Sequence, residues 1–216
     1  MTRQHDLCAI VPADSSFFGE PGAREAVFVV ESSRGFRAED YRAYLAVLAR
    51  VHLANAGFVR KKVDPSDLIQ DVLLQAHATR AQFRGTSAGE FGAWLRRILT
   101  NKLLDAARHH GRQKRNASLE ESYRDDIEGS ASRLLELPAR DQTSPSQYVA
   151  RRERALALAA ALEALPEDQR TAVELRYIGD SSLEEIAAFM NRSKPSVAGV
   201  LRRGLQELRS RLAALH

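Results

Sequence analysis

The sequence predicts an all-α fold made of two small helical domains joined by a flexible acidic linker, and three observations predict it. Alanine, leucine and arginine, which favour helices, are abundant, while aromatic residues make up only 6% of the chain. Apolar residues recur at helical intervals of three and four in several separate stretches. A serine-containing, mostly acidic stretch divides these stretches into two groups. The predicted divisions are an N-terminal arm at 1–36, a helical domain at 37–116, the linker at 117–144 and a second helical domain at 145–216.

The composition excludes several classes of protein. Hydrophobic residues make up 44% of the 216 residues, enough for real cores, so wholesale disorder is not expected. One cysteine, Cys8, excludes a disulfide framework and a zinc finger and fits a reducing cytoplasm. Neither a signal peptide nor an apolar run of about 20 residues is visible. The expectation is a cytoplasmic protein without membrane insertion, metal or other cofactor.

The arm is hard to interpret, because prolines and glycines interrupt it. Residues 25–31 have β-branched character and form either a short strand or part of a mobile arm, and no function is assigned to them. The first helix is predicted from about Ala38 to Asn55, with His52 as a packed histidine rather than a metal ligand.

The second helix begins with strong start signals. Asp64 suits the capping position, and Pro65 suits the first helical position. Within the helix, four residues at i, i+3, i+4 and i+7 form a stripe of two carboxylates, one amide and one leucine. This stripe is either a docking ridge for a basic, partly apolar partner or the ordinary acid that a helix N-terminus favours. The ridge consists of Asp67, Gln70, Asp71 and Leu74.

A loop and a basic amphipathic helix follow, from Phe83 to Arg115. Phe91 and Trp94 fall on the apolar face and are predicted to pack in the core, whereas Phe83 beside the loop could stack on a base. The opposite face and the far end are strongly positive, which fits either a solvated surface or one that lies along phosphates. These cations are Arg96, Arg97, Lys102, Arg108, Arg112, Lys114 and Arg115.

The sequence of the second domain predicts four helices, of which the last two form a helix-turn-helix. A capping box of Ser182 and Glu185 opens a short helix, three turn residues follow, and a longer helix begins near Lys194. The first turns of that last helix would enter a major groove, where small residues allow close approach and arginines reach phosphates or guanine edges. The alternative is a plain helical hairpin. The residues of the last helix that lie outside its apolar stripe are Lys194, Ser196, Ala198, Gly199, Arg202 and Arg203.

Taken together, these segments resemble a known family. The runs DLIQDVLLQAH, FRGTSAGEF, WLRRILTNKLLDAARHHGRQKR, LEALPEDQRTAVELRYIGDSSLEEIAAFM and SKPSVAGVLRRGLQELRSRL are similar, in order, to the conserved regions of bacterial RNA polymerase sigma factors. The two-domain layout resembles the extracytoplasmic-function (ECF) class of the sigma-70 family. The resemblance covers Tyr41 to Leu212 and implies a factor that directs promoter recognition and DNA melting at transcription initiation.

The resemblance implies partners and a role for each surface. The ridge on the second helix would dock on the clamp helices of core RNA polymerase, and the loop would capture a base flipped from promoter DNA. An anti-sigma factor is a further partner that the family allows. The residues implied to bind the minus-10 element are Phe83, Arg84, Asn101, Asp105, Arg108, Arg112, Lys114 and Arg115, and those for the minus-35 element are Lys194, Ser196, Arg202 and Arg203.

Some features depart from the family, and two other functions are alternatives. Ala198 and Val200 stand where many members carry basic residues, which predicts fewer direct minus-35 contacts. A stand-alone helix-turn-helix regulator is the alternative, and it would bind DNA tightly without polymerase. An enzyme is disfavoured, because adjacent His109 and His110 point about 100° apart on a helix and no catalytic set is evident.

Overall fold

The computed structural model describes residues 35–55, 63–111, 117–136 and 145–213. In these ranges it is helical, which confirms the all-α prediction. Short 3-10 turns at Ala38–Tyr41 and Arg80–Gln82 precede the first helix and follow the second. The α-helices are α1 (Arg42–Asn55), α2 (Pro65–Ala78), α3 (Ala88–Gly111), α4 (Ala117–Glu136), α5 (Pro145–Glu163), α6 (Glu167–Tyr177), α7 (Leu183–Met190) and α8 (Lys194–Ala213).

Helices α1, α2 and α3 pack on one another as the first bundle. The carboxylate of Asp64 accepts a hydrogen bond from the Ser66 N–H at 2.6 Å, and Pro65 occupies the first helical position, so α2 starts where the capping pattern predicts. The apolar stripe of α3 is buried as expected, with Phe91, Leu95 and Leu99 fully inaccessible to solvent. The first bundle therefore follows from local sequence patterns.

The second bundle consists of α5 to α8 and contains the predicted helix-turn-helix. Ser182 and Glu185 form the reciprocal capping box at the start of α7. Asn191 ends α7 with a φ of 51°, a left-handed conformation that asparagine tolerates, and the turn then leads into α8. A β-carbon at Gly204 would lie 3.0 Å from the Val173 side chain, so the glycine permits a close crossing of α6 and α8.

The linker prediction needs a correction. Ala117–Glu136 is helix α4 rather than a flexible tether, and Ile127, Ala131 and Leu134 are buried along one side of it. These three residues are spaced i, i+4 and i+7, a helical stripe that the surrounding acids and serines obscure in the sequence. Residues 137–144 and 1–34, with the strand considered at 25–31, lie outside the described residues.

Two polar anchors hold α4 against its neighbours. The Arg96 guanidinium on α3 donates two hydrogen bonds to the Glu128 carboxylate, both at 2.8 Å. The Arg133 Nε donates to the Ile178 carbonyl oxygen, at the end of α6, at 2.7 Å. Helix α4 thus contacts both bundles through its own side chains.

The two bundles also touch directly, and their buried apolar residues form one continuous core. Helix α1 packs on α5 and α6. Arg50 on α1 reaches across to Glu174 on α6 and to Glu163 at the end of α5, both at 2.6 Å. The division into two domains remains a prediction about the chain's folding units. Across the stretches that the structure describes, no helix is both long and apolar enough to cross a membrane.

Candidate protein-binding and nucleic-acid-binding surfaces

The ridge predicted on α2 is exposed in full. Asp67, Gln70, Asp71 and Leu74 all face solvent, while the alternating positions Leu68, Ile69, Val72 and Leu73 are buried. Leu74 is 61% exposed, more than any other large hydrophobic residue that the structure describes. An apolar side chain flanked by two carboxylates can bind a surface that offers both cations and a hydrophobic contact.

The loop before α3 is fixed by a dense set of hydrogen bonds. The Glu90 carboxylate accepts from the N–H of Thr86, the N–H of Ser87 and the Ser87 hydroxyl, each at 2.9 Å. The Ser87 oxygen in turn accepts from the Glu90 N–H at 3.2 Å, which completes a capping box. The hydrogen bonds that the carboxylate accepts from Ser87 and Thr86 hold the pKa of Glu90 below its ordinary value.

An aromatic cluster lies directly behind this loop. The Phe83 ring is half-buried and packs at 5.2 Å from Phe91 and 5.4 Å from Trp94, measured between ring centroids. A β-carbon at Gly85 would come within 2.4 Å of the Phe83 ring, so only glycine lets the loop approach the ring so closely. Phe91 is fully buried and Trp94 is half-buried, which confirms their predicted core packing.

A row of polar side chains runs along the outer face of α3. Arg97, Asn101 and Asp105 are exposed, and the partly exposed Arg108 follows them on the same face. Arg108 donates to the Asp105 carboxylate at 2.9 Å, so this part of the row is an ion pair between neighbouring turns. Arg112, Lys114 and Arg115, predicted to extend the row, lie outside the described residues.

Arg96 does not belong to this surface, which corrects the sequence interpretation. Its side chain is 14% exposed and is held by Glu128, with a further contact of 3.3 Å to the Tyr44 hydroxyl. Arg96 therefore anchors α4, and the cations that α3 offers to phosphates are fewer than the sequence suggests.

The helix-turn-helix presents its four predicted residues together. Lys194, Ser196, Arg202 and Arg203 are all exposed on the first half of α8. Lys194 pairs with Glu184 on α7, and the hydrogen bond from Lys194 lowers the pKa of the Glu184 carboxyl. The side chains of Arg202 and Arg203 have no ion pair within the described part of the chain, so their charge is available to phosphates or base edges.

Of two interior polar groups, the sequence did not indicate burial of Glu174, whereas it did indicate packing of His52. The Glu174 side chain is 2% exposed, and burial raises its pKa while the hydrogen bonds from Arg50 oppose that rise. Burial likewise lowers the pKa of His52 to about 4. Arg50 and Glu174 are 124 positions apart, so no local pattern could have paired them, whereas the position of His52 on the apolar face of α1 did indicate packing.

The loop before α3, the ridge of α2 and the helix-turn-helix are open surfaces rather than enclosed sites. Among the described residues, no three histidine, cysteine or acidic side chains come together in a way that could hold a metal ion. What these surfaces can do chemically is bind extended, charged partners through several separated contacts.

Comparison with known proteins identifies two sigma factor regions, in the order in which the sequence resemblance implies them. Residues 39–113 match the family model described as Sigma-70 region 2, and residues 155–208 match that described as Sigma-70, region 4. The ECF RNA polymerase sigma factor SigE of Mycolicibacterium smegmatis is 33% identical over 150 residues, which cover 69% of this chain and 52% of the relative. The ECF RNA polymerase sigma-E factors of Escherichia coli K12 and Salmonella typhimurium LT2 are each 29% identical over 155 residues, 70% of this chain and 77% of theirs. The chain thus spans about half the length of the Mycolicibacterium relative.

Proposed function

Because the chain belongs to the sigma-70 family and resembles its ECF class, we propose that it binds core RNA polymerase and directs it to promoters. One observation carries the proposal. The ridge, the loop and the polar row of α3 fall inside the region 2 match, and the helix-turn-helix falls inside the region 4 match. Each surface that the sequence singled out therefore lies within a region that matches the family.

The ridge of α2 is the proposed polymerase-binding surface. Its four exposed residues project from a helix whose other side is buried in the first bundle, so they are held by a rigid support. Opposite charge steers the encounter, and burial of Leu74 against the polymerase would add apolar contact.

The loop and the outer face of α3 are the proposed site of strand opening. A base that leaves the duplex costs a few kcal/mol, and contacts to the flipped nucleotide and to phosphates must offset that cost. The fixed loop at residues 84–90, the half-buried Phe83 and the cations of α3 supply such contacts. Binding to polymerase would supply the remainder.

The helix-turn-helix is the proposed reader of the minus-35 element. The first half of α8 carries Lys194, Ser196, Arg202 and Arg203 on the side away from the core, the side that can enter a major groove. The factor acts in the cytoplasm, needs no cofactor and performs no catalysis of its own. An anti-sigma factor that covers these surfaces is a further proposed partner.

Run-off transcription with purified core polymerase on a promoter library tests this function. We expect the wild-type chain to direct transcripts from a defined subset of templates. Asp71→Arg should abolish core binding, because a cation at this position would repel the basic surface that the acidic ridge is proposed to bind, and it should leave the helical circular-dichroism spectrum unchanged. Asp125→Arg, which makes the same charge change at an exposed position of α4, is the matched control and should bind core normally.

Two outcomes would contradict the proposal. Equal core affinity for Asp71→Arg and wild type would remove the ridge from the interface. Tight, specific duplex binding by the chain alone, with no effect on polymerase, would identify a stand-alone regulator instead.

A further inference from the structure

Arg80 occupies a position beside the proposed strand-opening loop that none of the roles above includes. It opens the 3-10 turn between α2 and the loop, and the Phe83 N–H donates to its carbonyl oxygen at 3.2 Å. Its guanidinium carbon lies 4.9 Å from the centroid of the Phe91 ring and 5.3 Å from that of Phe83. Attraction between the cation and the two ring faces therefore holds the half-buried side chain in one place.

Among the residues that the structure describes, no carboxylate balances the charge of Arg80, in contrast to Arg50 and Arg96. Arg50 and Arg96 each bind a glutamate at 2.6–2.8 Å, whereas Arg80 has no ion pair in the part of the chain that the structure describes. The carboxylate of the loop, Glu90, is already engaged by three donors from Thr86 and Ser87. A cation fixed at the edge of the site and left without an anion is prepared to receive one from outside.

The surroundings of Arg80 indicate which anion fits. Aromatic rings with an adjacent guanidinium are the elements by which proteins bind single-stranded nucleic acid, with the base on a ring and the backbone on the cation. A guanidinium also matches the geometry of a phosphate through paired N–H donors. A free phosphate would use the cation alone, while a nucleotide in an opened strand would use the cation and the half-buried Phe83 ring.

We propose that Arg80 binds a phosphate of the opened promoter strand, next to the nucleotide that the loop captures. The assignment rests on the proposed function, since it adds a contact to the same site. The close approach of Gly85 to Phe83 and the hydrogen bonds of Glu90 fix the loop next to the ring that Arg80 contacts.

The test measures how salt affects the binding of an opened strand by the holoenzyme. The probe is a single-stranded DNA oligonucleotide that carries the minus-10 element of a promoter active in the run-off assay. Loss of one phosphate contact should lower the slope of log K against log salt by about 0.7 for a single strand. We expect Arg80→Gln to show this change with weaker binding, and Arg80→Lys to keep the slope.

Arg42→Gln is the matched control, because Arg42 is an exposed arginine of the same bundle that is already paired with Glu39 at 3.3 Å. It should leave both slope and affinity unchanged. Arg80→Gln with the wild-type slope and affinity would overturn the assignment of Arg80 alone. A wild-type holoenzyme that makes no transcript from any template would overturn the proposed function itself.

A measurement on the unmodified protein guards against a variant that fails to fold. Phenylglyoxal modifies accessible arginines, and peptide mass spectrometry identifies which of them react. The oligonucleotide should protect Arg80 in the wild-type holoenzyme, whereas inorganic phosphate at the same concentration should not. Equal modification of Arg80 with and without the oligonucleotide would contradict the assignment.

Discussion

Arginine side chains occupy two contrasting settings in this chain, the contact between the two bundles and the surfaces proposed to face DNA. At the contact between bundles, Arg50 is 20% exposed and lies 2.6 Å from both Glu163 and Glu174. On α8, Arg202 and Arg203 are exposed and have no ion pair among the described residues. The same residue type is neutralised in one place and left available in the other.

The difference teaches where charge contributes to the fold and where it is available for binding. A fully buried charge such as Glu174, which is 2% exposed, loses its hydration and must be compensated within the protein, or the fold is destabilised by several kcal/mol. An exposed charge keeps its hydration, so its contribution to stability is small. Its attraction for a phosphate is then available to a partner, which is why the surface arginines are the candidates for DNA contacts.

Removal of Arg50 should give the largest effect on stability. Arg50→Ala leaves Glu174, which is 2% exposed, without its cation, so we expect the free energy of unfolding to fall by about 3–5 kcal/mol. Urea denaturation followed by circular dichroism measures this change. Arg42→Ala is the control, because Arg42 and Glu39 form an exposed pair that contributes about 0–1 kcal/mol. Equal midpoints for the two variants would contradict the distinction between buried and exposed arginines.

The contrast also marks how far the sequence can predict this structure. Capping residues, the ridge of α2 and the helix-turn-helix were predictable, because each depends on residues within about one or two helical turns of one another. The pairing of Arg50 with Glu174 was not, since it joins residues 124 positions apart and depends on how the bundles meet. Helix α4 falls between these cases, because its buried residues were present as a pattern but the acidic composition outweighed them.

The candidate surfaces show the same limit. Exposure of the ridge and of the first half of α8 followed from helical periodicity alone. Arg96 was misplaced, because periodicity gives the side of a helix but not which neighbour, here Glu128, covers that side. Arg80 was not predicted for a related reason. Its proposed role depends on its proximity to the rings of Phe83 and Phe91, which the folded chain brings together.

His52 extends the comparison to a second titratable group between the bundles, and its effect should be the next largest. The side chain is 6% exposed, and burial lowers its pKa to about 4, assisted by Arg133 and opposed by Asp126. The unfolded chain takes up this proton near pH 6.5, whereas the folded chain takes it up only near pH 4. Stability from this group is therefore complete above pH 6.5 and declines as the pH falls to 4, by about 3 kcal/mol in all.

Urea denaturation at a series of pH values measures this decline. His52→Gln should be less dependent on pH than wild type between pH 6.5 and 4, because the variant has no proton to take up at this position. His77→Gln, which changes an exposed histidine on α2, is the matched control and should follow the wild-type curve. The same pH dependence in wild type and His52→Gln would contradict the buried, neutral histidine.

The arginines of α8 should give the smallest change in free energy and the opposite pattern to Arg50. Arg202→Ala and Arg203→Ala should each weaken promoter binding by the holoenzyme by about 1–3 kcal/mol where a base is contacted. Where only a phosphate is contacted, the slope of log K against log salt should fall by about 0.9 instead. Stability should change by no more than about 0.5 kcal/mol, since both side chains are exposed and make no ion pair within the described ranges.

Arg209→Ala separates a specific contact from a general loss of charge. Arg209 is exposed on the same helix, but it lies in the second half, away from the end that would enter the groove. Its removal lowers the net charge equally, so a purely electrostatic role for α8 would make all three variants alike. If Arg202 and Arg203 contact the promoter, their variants lose affinity and Arg209→Ala does not. A variant of Arg202 or Arg203 that unfolds as readily as Arg50→Ala would contradict the distinction between the exposed arginines of α8 and the arginine that is paired between the bundles.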